Sequence, residues 1–362
     1  MSGALFRQDS RLVWVPMRVA AADLRPLYHQ RLAPNLVKVP LFYILLIGFG
    51  VVAWQSTHPA LTWTCYVLIA YMEMGIVTFM HECTHGTMFR RKWMNTAFGM
   101  FAMIPLLISY TSFKEDHLAH HAGNRSPRDP DAVFYGKRKP IDFILFYAYC
   151  FLGVLLTLAQ FGFIYGIQTL KGRKALVHWA EMILHAAVTY GVLTWAHSNG
   201  ILLPVLKIWL IPLVFFGLMN SARFIAEHYG TPFGAGQLVG TRTVTSNAAT
   251  SFFWNNINWH IGHHVYPGVP WYNLQKLHAL MLPEIVAAKA HVSRSYTWIF
   301  LDALLHGPES EETVARRNPG WRTVPDALDH GQFSVGDDAL AGGVGDGRPE
   351  TGRSTDTAAR AI

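Results

Sequence analysis

An all-α integral membrane protein is the fold class this sequence predicts, and three observations predict it. Of 362 residues, 51% are hydrophobic and only 15% are charged, against roughly 25% charged in an ordinary soluble domain. Six apolar stretches, at 39–54, 60–80, 95–110, 143–170, 176–196 and 201–218, are long enough to weigh as membrane helices. The net charge of +7 gathers in short basic clusters beside those stretches, as topology signals do. No recognition motif accompanies them, so nucleic acid is not an expected partner.

The elements follow in chain order. Residues 1–38 lack a continuous apolar run ending in small residues, so no removable signal peptide is expected and the first span directs insertion. Stretches 39–54 and 60–80 are joined by 55–59, which carries no Lys or Arg; they read as an outward-pointing hairpin. Stretch 95–110 lies between Arg90-Arg91-Lys92 and Lys137-Arg138-Lys139, begins and ends on the cytoplasmic side, and reads as an interfacial or re-entrant helix. Stretch 143–170 lies between basic clusters as well, and by the same parity becomes a second interfacial helix. Stretches 176–196 and 201–218, joined by 197–200 without Lys or Arg, form a second hairpin. The expectation is four transmembrane helices in two hairpins, two interfacial helices, and both termini cytoplasmic. Residues 39–282 make the membrane domain, 283–323 a cytoplasmic helical segment, and 324–362 a Gly-, Asp- and Ser-rich tail with too little apolar surface to order.

The chemistry lies in the histidines. Cys65, Cys83 and Cys150 are scattered, which excludes a disulfide framework and a thiolate-held cluster. Of 18 histidines, eight fall in three short clusters: His81 and His85 in "HECTH", His117, His120 and His121 in "HLAHH", and His260, His263 and His264 in "HIGHH". Spacings of i, i+3 and i+4 put side chains on one helical face, so each cluster aims its imidazoles together. Charge and apolar length place all three on the cytoplasmic side, where they can converge. Eight imidazoles exceed one tetrahedral zinc site, and imidazole by itself suits zinc, copper, iron or nickel. His58, His178, His185, His278, His291, His306 and His330 read as ordinary structural residues.

In order, spacing and topology the clusters resemble the three histidine boxes of the membrane fatty acid desaturase family, over about 40–282. "HHAGNRSPRDPDA" with its Asp129-Pro130-Asp131, "TRTVTSN" and "NWHIGHHVYPGVPWYNLQKLH" carry the resemblance further. It implies a cytoplasmic di-iron cap, two non-haem irons with O2 as co-substrate, and removal of two hydrogens from adjacent saturated carbons. It also implies a ninth ligand, for which His228 in "RFIAEHYG" is the candidate. Asn256, four residues before His260, is a possible direct or water-mediated ligand. Glu82, Asp116 and Glu227 each neighbour a cluster histidine and are expected to orient imidazoles. Gly262 stands where relatives often carry a bulkier or acidic residue, which is expected to leave room near the metal.

The expected activity is introduction of a carbon–carbon double bond into an acyl chain or lipid. Within the same family, hydroxylation, or a carotenoid, sphingolipid or amino-acid-derived substrate such as a vinyl-ether toxin, is the alternative. An intramembrane zinc protease using His81, His85 and Glu82 as base leaves six clustered histidines unexplained, and a haem carrier does not need "HxxHH" clusters outside the spans. Without a cytochrome-b5 signature, paired C-x-x-C or G-x-G-x-x-G, electrons are expected from an external ferredoxin-like carrier and its reductase. The cluster Arg90, Arg91, Lys92, Lys137, Arg138 and Lys139 suits an acidic carrier and equally a lipid headgroup surface. The expected location is a bacterial inner membrane with the site facing the cytoplasm, and the expected substrate is a lipid or amphipathic small molecule.

Overall fold

A computed structural model describes residues 3–8, 11–16, 19–131 and 138–319. The expectations for the tail 324–362, for His330 and for Lys137 fall outside these residues.

Strands β1 (Gly3–Gln8) and β2 (Arg11–Pro16) pair antiparallel, and a one-turn helix α1 (Ala21–Leu24) follows. The long helices α2 (Leu32–Gln55) and α3 (Pro59–Thr84) come next, α3 opening on a proline, whose missing N–H is no loss at a first helical position. They are followed by α4 (Lys92–Met103), α5 (Tyr110–Gly123) and α6 (Pro140–Ala159). A π turn (Gln160–Ile164) carries α6 into α7 (Tyr165–Gln168). Helices α8 (Gly172–Ser198) and α9 (Leu202–His228) form the second long pair. The remainder runs α10 (Gly236–Val239), β3 (Arg242–Val244), α11 (Ala248–Phe253), α12 (His260–Val265), α13 (Leu274–Ala287), β4 (His291–Ser293), α14 (Tyr296–His306) and α15 (Glu311–Arg317). Two small sheets, β1–β2 and the parallel pair β3–β4, accompany a chain that is otherwise mostly helical, as the all-α expectation has it. Both use β-branched residues in short runs that hydropathy alone passes over.

Among the described residues five helices are long and apolar enough to cross a membrane: the four expected spans α2, α3, α8 and α9, and the continuous Pro140–Gln168. Pro140–Gln168 is the one that charge parity had laid in the interface; it is 29 residues long with mean hydropathy 2.1. Just ahead of it stands Arg138. Its guanidinium lies over the Phe143 ring and donates to the His306 carbonyl at 2.8 Å. The stretch 95–110 belongs to a helix pair, Lys92–Leu106 and Tyr110–Gly123, bent by 107°. The bend sits at Leu107, whose φ of 53° is left-handed, and Ser109 restarts the helix by accepting from the Ser112 N–H at 3.1 Å.

Burial identifies the central helix. In its most apolar window α3 is 44% buried, against 22% for α2 and 17% for each of the other three. The core accordingly forms around α3, with Phe79 edge-on to Phe42 at 5.6 Å and Met72, Met74 and Met80 fully enclosed. Gly75 lies directly against the Phe42 ring and the Phe253 carbonyl, and a side chain there would collide with both. Outward-facing Ile44, Ile183, Tyr190 and Val214 are each more than half exposed, a surface that suits hydrocarbon rather than water.

One polar group is buried on a long helix for a structural reason. Glu181 of α8, fully buried, accepts from Ser109 Oγ (2.7 Å), the Thr111 N–H (3.1 Å) and Thr111 Oγ1 (2.5 Å). His178, one turn earlier, meets Ser112 Oγ at 2.7 Å through Nδ1. Together they clamp the first turn of α5. Glu181→Ala strips three donors of their buried acceptor and is expected to destabilise the protein by roughly 3 kcal/mol. Glu181→Gln, which keeps an acceptor, is expected to lose less. Thermal unfolding of both in detergent checks the order.

Candidate metal centre

Four helices bring the histidines to one place. His81 and His85 lie in the last turn and C-cap of α3, and His117, His120 and His121 in the second half of α5. His228 is the last residue of α9, and His260, His263 and His264 make up half of α12. The third cluster depends on an unusual approach. Asn255 and Asn256 are both left-handed, with φ of 51° and 58°, a conformation asparagine tolerates better than most residues. Asn255 Nδ2 donates to the Gly75 carbonyl (2.8 Å) and Thr78 Oγ1 (2.7 Å), tying this turn to α3 just ahead of His81. From the other side, Thr243 Oγ1 on β3 accepts from the Ile261 N–H at 3.2 Å, and Arg242 donates to the Ala226 carbonyl at 2.8 Å. The stretch "TRTV" is thus the brace between α9 and α12.

The nine histidines divide into two groups. Ligating atoms of His81, His85, His117, His121 and His263 all lie within 4.8 Å of one another. A second group joins His120, His228 and His264 within the same limit, and His260 belongs with it, its Nε2 being 3.1 Å from His264 Nε2 and 3.3 Å from His228 Nε2. In the first group His85 and His117 face each other through Nε2 at 2.9 Å, and His121 and His263 at 3.1 Å. Two imidazole nitrogens on one ion, at about 2.1 Å each, sit at most about 4.2 Å apart. The two groups are close to that geometry.

The donor set fits metal ions. Both nitrogens of His81 are buried without a hydrogen-bond partner, as is Nδ1 of His121, His260 and His263. An unpartnered buried polar group costs about 1–3 kcal/mol; the two nitrogens of His81 and the closely facing Nε2 pairs are what a bound metal ion would satisfy. Burial pushes His260, His263 and His264 well below the usual imidazole range. These three are therefore neutral, the form that ligates.

The carboxylates differ from expectation in detail. Glu82 makes no ion pair with a histidine among the described residues; its Oε2 accepts from Thr87 Oγ1 (2.6 Å) and the Trp271 N–H (2.9 Å). It therefore braces the loop after α12 instead of orienting an imidazole, and it is not presented as the base of a zinc protease. Glu82→Gln is expected to keep its bound metal, because no imidazole is held by this carboxylate; metal analysis of the purified variant checks this, and loss of metal would show that Glu82 supports the site. Asp116 turns toward the Asp131 carboxyl, with which it shares a hydrogen bond. His120 Nδ1 is held by Asp129 at 2.8 Å, with Asp131 at 3.4 Å. Burial raises the Asp131 carboxyl to about 6. Glu227 does approach a ligand, its Oε2 lying 3.4 Å from His260 Nε2 and 2.9 Å from Arg223. That nitrogen is the one facing His228 and His264, so Glu227 stands on the inner side of the site.

Asn256 lines a cavity beside Trp259 and Lys38, and its side chain forms no hydrogen bond to a histidine. Gly262 does not open space at the metal; a side chain there would meet Leu277 of α13 at 3.2 Å, so the position is dictated by helix packing. Sequence reasoning missed Asp129, although "DPD" nine residues after His120 was a usable signal. It also missed Gln237, whose Oε1 meets His264 Nδ1 at 2.9 Å while its amide donates to the His121 carbonyl. No local pattern marks that glutamine. Arg125 and Glu309 were missed too; their buried ion pair at 2.8 Å holds the C-terminal segment onto the loop after α5.

A family model described as fatty acid desaturase matches residues 57–297, most of the chain and all nine histidines. The chain belongs to the fatty acid desaturase family. This is an oxidoreductase family. Among relatives, the chain is 24% identical over 261 residues to an sn-1 oleoyl-lipid 12-desaturase of Arthrospira platensis, covering 67% of this chain and 72% of that one. It is 22% identical over 267 residues to an acyl-lipid (9-3)-desaturase of Physcomitrium patens, covering 65% and 50%. A putative sphingolipid delta(4)-desaturase/C4-monooxygenase of Caenorhabditis elegans is 30% identical over 241 residues, covering 61% and 60%. The chain spans about half the length of the moss relative. In a member of this family, the gathered histidines are placed where metal ions could bind.

Proposed function

We propose that this protein is a membrane desaturase holding two non-haem irons, which uses O2 to introduce a double bond into an acyl chain. The observation that carries the reading is the division of nine gathered imidazoles, eight buried and His85 half-buried, into a set of five and a set of four. Bound iron supplies the one-electron and O2 chemistry that cleavage of an unactivated C–H bond needs, which zinc, without redox chemistry, does not. The reaction removes two hydrogens from adjacent carbons while O2 is reduced to two waters, so two further electrons and two protons enter from outside. A ferredoxin-like carrier is the donor we assign, docking near the exposed Arg90, Arg91 and Lys92.

The chain's own residues hold the geometry. His81, His85, His117, His121 and His263 take one iron, and His120, His228, His260 and His264 the other. Asp129 fixes the His120 ring with its proton on Nδ1, leaving Nε2 free to ligate. Gln237 does the same for His264. The buried walls exclude water, which keeps oxidising equivalents on the substrate. We place the site and both termini on the cytoplasmic side, where the basic clusters gather.

Relatives whose names specify acyl-lipid and sphingolipid substrates support a lipid substrate. Purified protein is expected to contain two irons per chain and no Soret band. Given lipid, O2 and reduced ferredoxin, it is expected to yield a product two daltons lighter than the substrate. A gain of sixteen daltons identifies a hydroxylase, and one zinc per chain without oxidation overturns the proposal.

A further inference from the structure

Lys38 of α2 is a buried cation without an anion. It is 8% exposed, and its Nζ donates to the Phe252 carbonyl at 2.6 Å. The Trp271 and Phe252 rings each lie 4.4 Å away and the Phe42 ring 5.4 Å. An ammonium carries three donors, and among the described residues no carboxylate comes within ion-pair distance of this one. Buried charges are ordinarily paired, because an unpaired one costs several kcal/mol. Aromatic faces recover part of that. The rest points to a partner from outside the chain.

There is room for one. Lys38 lines a cavity of about 520 Å³ whose wall carries Ser246, Asn247, Ser251, Asn256 and Gln275, a size typical of small-molecule sites. A second cavity of about 540 Å³ meets the first at Lys38, Phe252 and Trp271. Its wall is apolar, with Val37 and Leu41 on the outer face of α2, and Arg31 stands at its rim. Neither cavity is lined by an Asp or Glu. One half is thus polar and cationic, the other apolar and open toward the lipid-facing surface. The polar half also adjoins the metal centre: Trp259 in its wall precedes His260, and Trp271 holds Glu82 beside His81.

We propose that this double cavity binds the acid group of an anionic amphiphile, a carboxylate or phosphate, on Lys38, with the adjoining hydrocarbon along Val37 and Leu41. Resting on the desaturase reading, this names the substrate class and its route of entry from the membrane. The hydroxyl and amide side chains of the polar half complete the anion's hydrogen bonds, and Arg31 attracts it at the rim.

The test is equilibrium binding of radiolabelled oleate to the purified full-length protein in neutral detergent, with oleyl alcohol and oleyl phosphate as comparison probes. The wild-type protein is expected to bind an acid probe at least about thirtyfold more tightly than the alcohol, as for a buried charge pair. Lys38→Met is expected to abolish that preference and leave alcohol binding unchanged, while Lys38→Arg keeps it within about threefold. Tighter oleate binding identifies a carboxylate ligand, and tighter oleyl phosphate a phosphate ligand. Equal binding of acid and alcohol by the wild type, or an undiminished preference in a folded Lys38→Met, overturns the proposal. No turnover is involved, so an iron-free or inactive preparation bears on the desaturase reading and leaves this one standing or falling by itself.

Discussion

Replacing His263 with alanine is expected to lower product formation by more than about a hundredfold and to reduce bound iron from two per chain toward one. First-sphere loss exceeds the 10–100-fold effects common for supporting residues. His263 is the only residue of α12 in the five-histidine group, and its Nε2 lies 3.1 Å from that of His121. The adjacent His264 belongs to the other group. His264→Ala is therefore expected to lose the other iron, with Mössbauer spectra of the two variants retaining different components. His120→Ala should follow His264→Ala for the same reason. Two irons and full activity in His263→Ala would falsify the ligand assignment.

Asp129→Asn carries the second-largest expectation, because one atom change alters what His120 can do. The carboxylate accepts from His120 Nδ1 at 2.8 Å, and through its other oxygen from the Arg125 N–H at 2.7 Å. Turned with its NH2 to the ring, an asparagine favours the tautomer with the proton on Nε2, the atom required by the metal. Iron affinity in the four-histidine group is expected to fall about 10–100-fold. Excess Fe(II) should restore activity to Asp129→Asn but not to His120→Ala. Asp116→Asn, which touches Asp131 rather than an imidazole, is expected to have a smaller effect. If the two aspartate variants lose iron equally, the orienting role assigned to Asp129 is wrong.

Several of these residues were legible before any coordinates. The eight clustered histidines declared themselves because helical spacing is local: i, i+3 and i+4 converge whatever the rest of the chain does. His228 was named through family resemblance, and α9 delivers it to the second group. The short strand β3 was not foreseen, since three residues leave too little pattern to separate from a loop. Stretch 143–170 passes the length and hydropathy test for a span, so its place in the interface rests on the flanking charges alone. Gly262 is expected, by comparison with bulkier residues in relatives, to leave room near the metal, yet what limits it is Leu277 on another helix.

Composition and periodicity alone therefore point to a bundle of apolar helices with three histidine clusters able to converge, because hydropathy and helical spacing are properties of consecutive residues. Tertiary structure decided which histidines gather with which, since His263 and His264 are neighbours in sequence but lie in different groups. It also decided that Asp129 and Gln237, and not Glu82, hold imidazoles in place. Those assignments depend on where separate helices end relative to one another, which is set by packing between elements far apart in the chain, such as Asn255 against Gly75 and Arg125 against Glu309.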